Sequence, residues 1–281
     1  MENKSKQMYS REGIGTHWWF ELLGEPGFPA ATKRRIDTVM DDFHRDYTRF
    51  TDTSYVGRLN NLKTLRGFPG ELYDMMVFAK DMYRVSDGVF DISVGGALHA
   101  LGYGDRSHAA PVAKNFWHEA KLTRDEITIP RESVIDLGGL GKGWLIDKLV
   151  GVMRDCGHDQ FIVNGGGDMY VQSDRPIDIA LQHPIRHDEA IGSVPITRGA
   201  LAVSSTRMRT WQHDGATHHH IIDPTTGQST TSDIISTYVR ADTALIADVM
   251  ATILLIKPEL NHQLSSTFHI QTILLRKDKL S

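Results

Sequence analysis

The sequence IDLGGLGKGW, residues 135–144, combines a carboxylate, four glycines and one lysine in ten positions. Residues 133–137 predict a short β run, and the apolar residues after position 144 recur at helical spacing, so the glycines fall at a helix start. A helix start presents unpaired N–H groups, glycine lets an anion approach the backbone closely, and Lys142 adds a full positive charge. The stretch therefore predicts a strand-to-helix corner that can bind an anion such as a pyrophosphate.

A plainer interpretation of the same corner stays open. A glycine-rich turn could pack tightly on a sheet while Lys142 remains in solvent. Two known phosphate motifs are excluded, however. A P-loop requires a hydroxyl residue directly after its lysine, where this chain has Gly143, and a dinucleotide fingerprint requires a third glycine where Trp144 stands. A phosphate site at this corner would therefore belong to a different fold.

The composition predicts an ordinary globular protein. The chain has 281 residues, 40% of them hydrophobic, which is enough for a sizeable core. Its formal charge of −4 argues against non-specific nucleic-acid binding, which needs a basic surface. The polar start, residues 1–11, lacks the apolar segment of a signal peptide, and no apolar run reaches membrane-spanning length. Cys156 cannot form an internal disulfide alone, so we expect a reducing, cytoplasmic location.

A late apolar segment, residues 243–256, predicts a buried helix that carries a carboxylate. Asp248 and Thr252 lie four residues apart and so share one helical face. A buried carboxylate is costly unless it meets a cation. Either Asp248 pairs with an arginine while Thr252 bonds its own backbone, or the two side chains and a backbone carbonyl bind a hard metal such as Mg²⁺.

Three further stretches contain polar or glycine residues in unusual settings. Asp91 lies in an apolar, β-like run, residues 89–96, so it accepts backbone N–H bonds in a turn or contacts a ligand. A tight turn needs only one or two glycines. The three at positions 165–167 therefore suggest a backbone without covering side chains, which a ligand could contact. The histidines at positions 218–220 alternate along a strand and lack any zinc pattern, which favours one histidine as a proton carrier or phosphate contact.

Taken in order, these motifs resemble the ApbE family of FAD:protein FMN transferases over almost the whole chain. Each motif is weak alone, but their number and order are specific. The matching segments are Ile14-Gly15-Thr16, Tyr47-Thr48-Arg49-Phe50 with Leu59-Asn60, Gly88-Val89-Phe90-Asp91, the corner itself, Asn164-Gly165-Gly166-Gly167-Asp168, the run from His219 to Gly227, and Ala247-Asp248-Val249-Met250-Ala251-Thr252.

The resemblance implies a site and a reaction. The expected fold is α+β, with mixed or antiparallel sheets and flanking helices, formed by a single domain over residues 1–281 or by two subdomains around a cleft. FAD would be split with the help of Mg²⁺, AMP would leave, and FMN would be joined to a Thr or Ser hydroxyl of an acceptor protein. By position, the metal ligands would be Gly139, Asp248 and Thr252, the catalytic residues His220 and Asp248, and the FAD contacts Ile14, Phe50, Phe90, Asp91, Asp136, Lys142 and Ile221.

Two other functions remain alternatives. One is an FAD pyrophosphatase that releases FMN and AMP, and the other is a protein that binds FAD without chemistry. Many members of the family are exported lipoproteins, so an exported form whose leader is missing from this chain is the alternative to a cytoplasmic member.

Overall fold

A seven-stranded antiparallel sheet forms the centre of the fold. The computed structural model describes residues 8–25, 27–104 and 109–279; of the polar start considered above, residues 1–7 lie outside this description. The strand order is β1-β2-β6-β7-β8-β13-β14. These strands are β1 (Met8–Gly13), β2 (Thr16–Leu22), β6 (Phe161–Gly165), β7 (Asp168–Gln182), β8 (Ala190–Ser205), β13 (Ile234–Ala241) and β14 (Gln271–Arg276).

Smaller strands and the helices surround this sheet. The small strands are β3 (Thr64–Arg66), β4 (Lys121–Leu122) and β5 (Glu126–Thr128) in one sheet, and the pairs β9 (Thr210–His213) with β10 (Ala216–His219) and β11 (Ile222–Asp223) with β12 (Gln228–Ser229). The helices are α1 (Ala30–Tyr47), α2 (Tyr55–Leu62), α3 (Gly70–Val85), α4 (Gly95–Ala100), α5 (Phe116–Glu119), α6 (Gly138–Asp155), α7 (Ala244–Ile256) and α8 (Asn261–Phe268). The α+β class predicted from the sequence is confirmed.

Both faces of the large sheet are apolar, because successive side chains along its strands belong in turn to two different hydrophobic clusters. In β6, Phe161 and Val163 belong to the main core, whereas Ile162 belongs to a second cluster on the opposite face. The main core also contains the apolar faces of α1, α3, α6 and α7. The second cluster is completed by the distal half of the β7–β8 hairpin, which contributes residues such as Ile179 and Leu181. Helices therefore cover one face of the sheet, and the distal half of the β7–β8 hairpin covers the other.

Helix α7 is held against α6 by a carboxylate. Asp147, in the middle of α6, accepts hydrogen bonds from the amides of Ala244 (2.8 Å) and Leu245 (2.9 Å), the first two residues of α7. A carboxylate suits the positive end of a helix dipole and satisfies amides that have no partner within the helix. Thr243 caps the same end by accepting from the Ile246 amide at 3.3 Å. The start of α7 is thus fixed relative to the middle of α6.

The predicted β run at residues 133–137 is wrong, apart from one isolated bridge between Val134 and Val94. The side chain of Asn60 replaces a neighbouring strand there. Its amide nitrogen donates to the Ile135 carbonyl (2.9 Å), and its carbonyl oxygen accepts from the Ile135 amide (2.7 Å). The β-like run at residues 89–96 is likewise not a strand, because residues 89–94 are irregular apart from the Val94 bridge and residues 95–96 begin α4. In both segments several backbone groups bond to side chains instead of a sheet ladder: those of Ile135 to Asn60, and the amides of Phe90 and Ser93 to Ser86 and Asp91.

The three glycines at positions 165–167 lie at the hairpin turn between β6 and β7. The geometry of this turn explains them without a ligand that contacts the backbone. Gly165 pairs with Asp168 at the end of the β6–β7 ladder, which leaves a two-residue turn. Gly166 (φ 69°) and Gly167 (φ 103°) have the positive φ angles that such a turn requires. A Cβ atom on Gly165 would lie 2.7 Å from the Trp18 ring, so close packing explains the remaining glycine.

Candidate active site

The predicted corner is a helix start that an aspartate and an arginine hold in place. Helix α6 begins at Gly138, and the Gly138 amide donates to the carboxylate of Asp136, two residues earlier. The other oxygen of Asp136 accepts from Arg49, whose side chain is only 3% exposed. The Asp136 amide donates to the Ile92 carbonyl at 2.7 Å, which ties the segment containing Asp91 to the same corner. The glycines therefore lie at the helix start, as predicted.

Arg49 is the buried residue that joins these segments. Besides Asp136, its guanidinium contacts the His99 ring nitrogen (2.7 Å) and donates to the Tyr103 carbonyl (2.9 Å). The guanidinium carbon also lies 4.3 Å from the centre of the Phe50 ring. Phe50 is 60% exposed, so one ring face packs on the arginine and the remainder is available to a planar ligand.

Lys142 lies between two buried carboxylates. Its ammonium contacts Asp168 and lies 3.1 Å from Asp248. The other oxygen of Asp168 accepts from the Val203 amide (2.8 Å), and the other oxygen of Asp248 accepts from the Gly143 amide (2.9 Å). Burial works against the lysine's charge, but the two carboxylates outweigh it and raise the Lys142 pKa. Burial raises the pKa of Asp248, and the Lys142 charge opposes that rise. Lys142 is therefore an ion-pair partner in this cluster rather than a solvated side chain.

Helix α7 presents oxygen atoms toward the start of α6. Asp248 is 4% exposed, and one turn later the Thr252 hydroxyl lies 3.2 Å from the Ser204 hydroxyl. In a helix, the Gly143 amide faces the carbonyl of Gly139. Since that amide also donates to Asp248, the carbonyl and the carboxylate lie beside the same N–H group.

This donor set fits a hard divalent cation. Carboxylate, hydroxyl and carbonyl oxygens are the ligands that Mg²⁺ uses, often with only one or two carboxylates. The carboxylates of Asp168 and Asp248 outnumber the ammonium of Lys142, so the cluster retains negative charge for a cation to neutralise. Within the described ranges no group of three or more His, Cys, Asp or Glu side chains could hold a metal, so the candidate site is this mixed oxygen set.

Glycine at position 143 permits the close contact between the two helices. A Cβ atom there would lie 2.6 Å from the Ala244 carbonyl oxygen. At Gly139, a Cβ atom would lie 3.2 Å from the ring of Phe90, which is buried beneath the helix start. Phe90 therefore supports this turn from the core, and its ring is mostly covered by protein.

His220 lies beside the same cluster and is neutral. Burial, together with the positive charges of Arg209 and Lys142, lowers its pKa to about 3. Its Nδ1 atom is buried and has no hydrogen-bond partner among the described residues. A neutral ring with an unsatisfied nitrogen can accept a proton or a hydrogen bond from a bound molecule.

The remaining predicted FAD contacts differ in exposure. Ile14 lies in the β1–β2 turn with φ 52°, which is unusual for a β-branched residue and is typical of strained functional positions. The Asp91 carboxylate accepts from the Ser93 amide at 2.8 Å, and burial raises its pKa. Ile221 is 5% exposed in a small apolar cluster, its amide donates to the His219 ring at 3.3 Å, and its carbonyl accepts from the Thr230 amide at 3.0 Å.

Two residues of this site were not singled out by sequence reasoning. Arg49 and Asp168 both occur within the quoted motifs, but their roles follow from distant partners, Asp136 and Lys142. The signal that could have found them is charge balance. A buried carboxylate at Asp136 and a lysine in a glycine-rich helix start each require an opposite charge nearby.

Comparisons with known proteins indicate the same family as the order of the motifs does. The model of the ApbE family matches residues 14–269. The FAD:protein FMN transferase of Escherichia coli (strain K12) is 24% identical, with 86% of this chain and 76% of that protein covered. The FAD:protein FMN transferase of Vibrio cholerae is 23% identical, with 92% and 84% covered.

Solved structures show the same fold. The ApbE protein of Thermotoga maritima superposes with a TM-score of 0.84 at 20% identity, covering 97% of this chain and 95% of that one. The flavin transferase ApbE of Vibrio cholerae gives a TM-score of 0.80 at 20% identity, covering 96% and 93%. Since the family model extends over most of the sequence and the architecture agrees, the chain belongs to the ApbE family.

Proposed function

We propose that this protein is an FAD:protein FMN transferase that uses Mg²⁺. The observation that carries the proposal is the meeting of Lys142, Asp168 and Asp248 at the glycine-lined start of α6, with His220 alongside. A ligand with a diphosphate suits such a helix start. The names of the similar proteins from Escherichia coli and Vibrio cholerae support the same activity.

The proposed metal ligands are Asp248, Thr252 and the Gly139 carbonyl. Mg²⁺ bound there would neutralise charge on the diphosphate of FAD. Lys142, which is held by Asp168, keeps Asp248 in place from the other side. The proposed FAD contacts are the residues that the resemblance to the family implies by position: Ile14, Phe50, Phe90, Asp91, Asp136, Lys142 and Ile221.

His220 is the proposed proton acceptor. The hydroxyl oxygen of the acceptor protein attacks the FMN phosphorus, the bond from that phosphorus to the oxygen of AMP breaks, and AMP leaves with the electron pair. The hydroxyl proton passes to His220. A pKa near 3 makes His220 a weak base by itself. A bound diphosphate would offset the charges of Arg209 and Lys142 and raise that pKa toward the useful range.

The test is transfer to a defined acceptor. The protein is mixed with FAD, Mg²⁺ and an acceptor domain that carries a reactive threonine, and the acceptor is weighed by mass spectrometry. We expect an FMN-sized mass gain and an equal amount of AMP, both lost in Asp248→Asn. AMP without a mass gain would instead identify an FAD pyrophosphatase, and flavin binding without AMP would identify a binding protein.

The cytoplasmic location is also a proposal, and it rests on cysteine content alone. Cell fractionation tests it, since recovery with the exported fraction would contradict it.

A further inference from the structure

The β9–β10 hairpin places an arginine next to His220. In its ladder Thr210 pairs with His219 as the last pair, so Arg209 and His220 are the residues that flank this end of the hairpin. The backbone of Arg209 has φ 51°, in the left-handed region that non-glycine residues rarely occupy. Strained backbone of this kind clusters at functional sites.

The Arg209 side chain reaches a second strained segment. Its Nη2 atom donates to the Gly15 carbonyl at 3.2 Å, across 194 residues of sequence. Gly15 and Ile14 form the β1–β2 turn, and both have positive φ angles. Among the described residues this is the one hydrogen bond that the guanidinium makes, although such a group has five N–H donors. Arg209 is exposed, so its remaining donors face solvent, where a ligand can reach them.

The positive charges of Lys142 and Arg209 differ in whether carboxylates balance them. Lys142 is paired with Asp168 and Asp248, whereas Arg209 forms no ion pair with a carboxylate among the described residues. Arg209 flanks His220 at the end of the hairpin, and the positive charges of Arg209 and Lys142 both add to the effect of burial in lowering the His220 pKa. The buried Nδ1 of His220, which has no partner there, is a second sign that a ligand completes this place.

We propose that Arg209, beside His220, forms an anion subsite that binds one phosphate group of the dinucleotide substrate. This inference rests on the proposed function for the identity of the substrate. The planar fork of arginine matches phosphate oxygens, and bonds of this kind to charged groups are the stronger ones. Arg209 thereby adds a binding residue for the diphosphate on a different structural element from Lys142.

Binding of FAD to Arg209→Gln, measured by quenching of flavin fluorescence with Mg²⁺ present, tests the proposal. We expect the dissociation constant to rise about tenfold or more, as for the loss of one charged hydrogen bond. The dependence of affinity on salt should also become shallower, because one phosphate contact is lost. Arg209→Lys should lose less. The matched control is Arg207→Gln, an exposed arginine two residues earlier in the same loop, which should bind FAD as the wild type does.

Three results would overturn the proposal. They are unchanged affinity in Arg209→Gln, an equal loss in Arg207→Gln, and a loss with unchanged salt dependence. The last would mean that Arg209 only holds the Ile14–Gly15 turn. The assay is independent of transfer. If the wild type modifies no acceptor but FAD binding still depends on Arg209, the transferase proposal fails while this inference stands.

Discussion

Lys142 pairs with two buried carboxylates and offsets part of their negative charge, so its removal tests the charge balance of the site. We expect Lys142→Met to lower the free energy of unfolding by about 3–5 kcal/mol, because uncompensated charge would remain buried. Urea unfolding measures this loss. Lys148→Met, on the same helix, is the control. Lys148 is 38% exposed and pairs with Glu71, so its loss should be about 1 kcal/mol or less. Equal losses in the two variants would contradict this account.

The proposed metal ligands can be tested without an activity assay. A cation that binds only the folded protein stabilises it by about 2.7 kcal/mol at one hundred times its dissociation constant. We therefore expect Mg²⁺ to raise the thermal unfolding midpoint of the wild type and to leave that of Asp248→Asn nearly unchanged. An equal rise in both proteins would remove Asp248 from the metal site.

His220 makes stability depend on pH. The unfolded chain protonates this histidine near pH 6.5, but the folded protein does not until about pH 3. Its contribution is therefore fully present above pH 6.5 and is lost as the pH falls toward 3. Relative to His220→Asn, the wild type should lose up to about 1.4 kcal/mol per pH unit in this window. Denaturant unfolding at several pH values measures both proteins, and parallel curves would show that His220 is not buried as a neutral ring.

At the scale of elements, the contact between α6 and α7 depends on Gly143. Alanine favours helix by about 1 kcal/mol over glycine, yet a Cβ atom here would meet the backbone of α7. We expect Gly143→Ala to destabilise the protein by about 1–3 kcal/mol. Gly151→Ala in the same helix, where nothing lies within 4 Å of the added atom, should be neutral or stabilising. The comparison is made by thermal unfolding, and a stabilised Gly143→Ala would disprove the tight contact.

Long, periodic helices could be predicted from the sequence, whereas segments held by tertiary contacts could not. Apolar residues at helical spacing predict helices over residues 30–50, 71–85 and 243–256, and these correspond closely to α1, α3 and α7. Residues 133–137 have apolar, β-prone character, but one asparagine side chain satisfies the backbone of Ile135 from 75 positions away. Helix α8 is short and mostly polar, so its sequence has little periodicity to reveal it.

The site could be predicted as a set of motifs, but its connections could not. The expected nearness of Asp248 to the glycine corner is confirmed by its bond to the Gly143 amide, 105 residues away. Arg49 and Asp136 are 87 residues apart, and Arg209 and Gly15 are 194 apart. Such pairings depend on the strand order of the large sheet, which local patterns do not encode.

For the molecule as a whole, the sheet joins both ends of the described chain. Strand β1 forms one edge and β14 the other, with strands from the middle of the sequence between them. We therefore expect one cooperative unfolding transition, consistent with the single domain predicted over residues 1–281. Urea curves from far-ultraviolet circular dichroism and tryptophan fluorescence should coincide. Two separated transitions would favour the alternative of two subdomains.

The pair of hydrogen bonds between Asp147 and the first two amides of α7 affects which metal ion the proposed site would select. It fixes the spacing of the two helices only one turn beyond Gly143, so the gap that separates the oxygen atoms of α7 from the glycine corner has little freedom to widen. Calcium prefers longer bonds and more ligands than magnesium does. A larger ion would have to push the two helices apart. Selectivity for Mg²⁺ over Ca²⁺ would therefore come from the packing of the helices rather than from the ligands themselves.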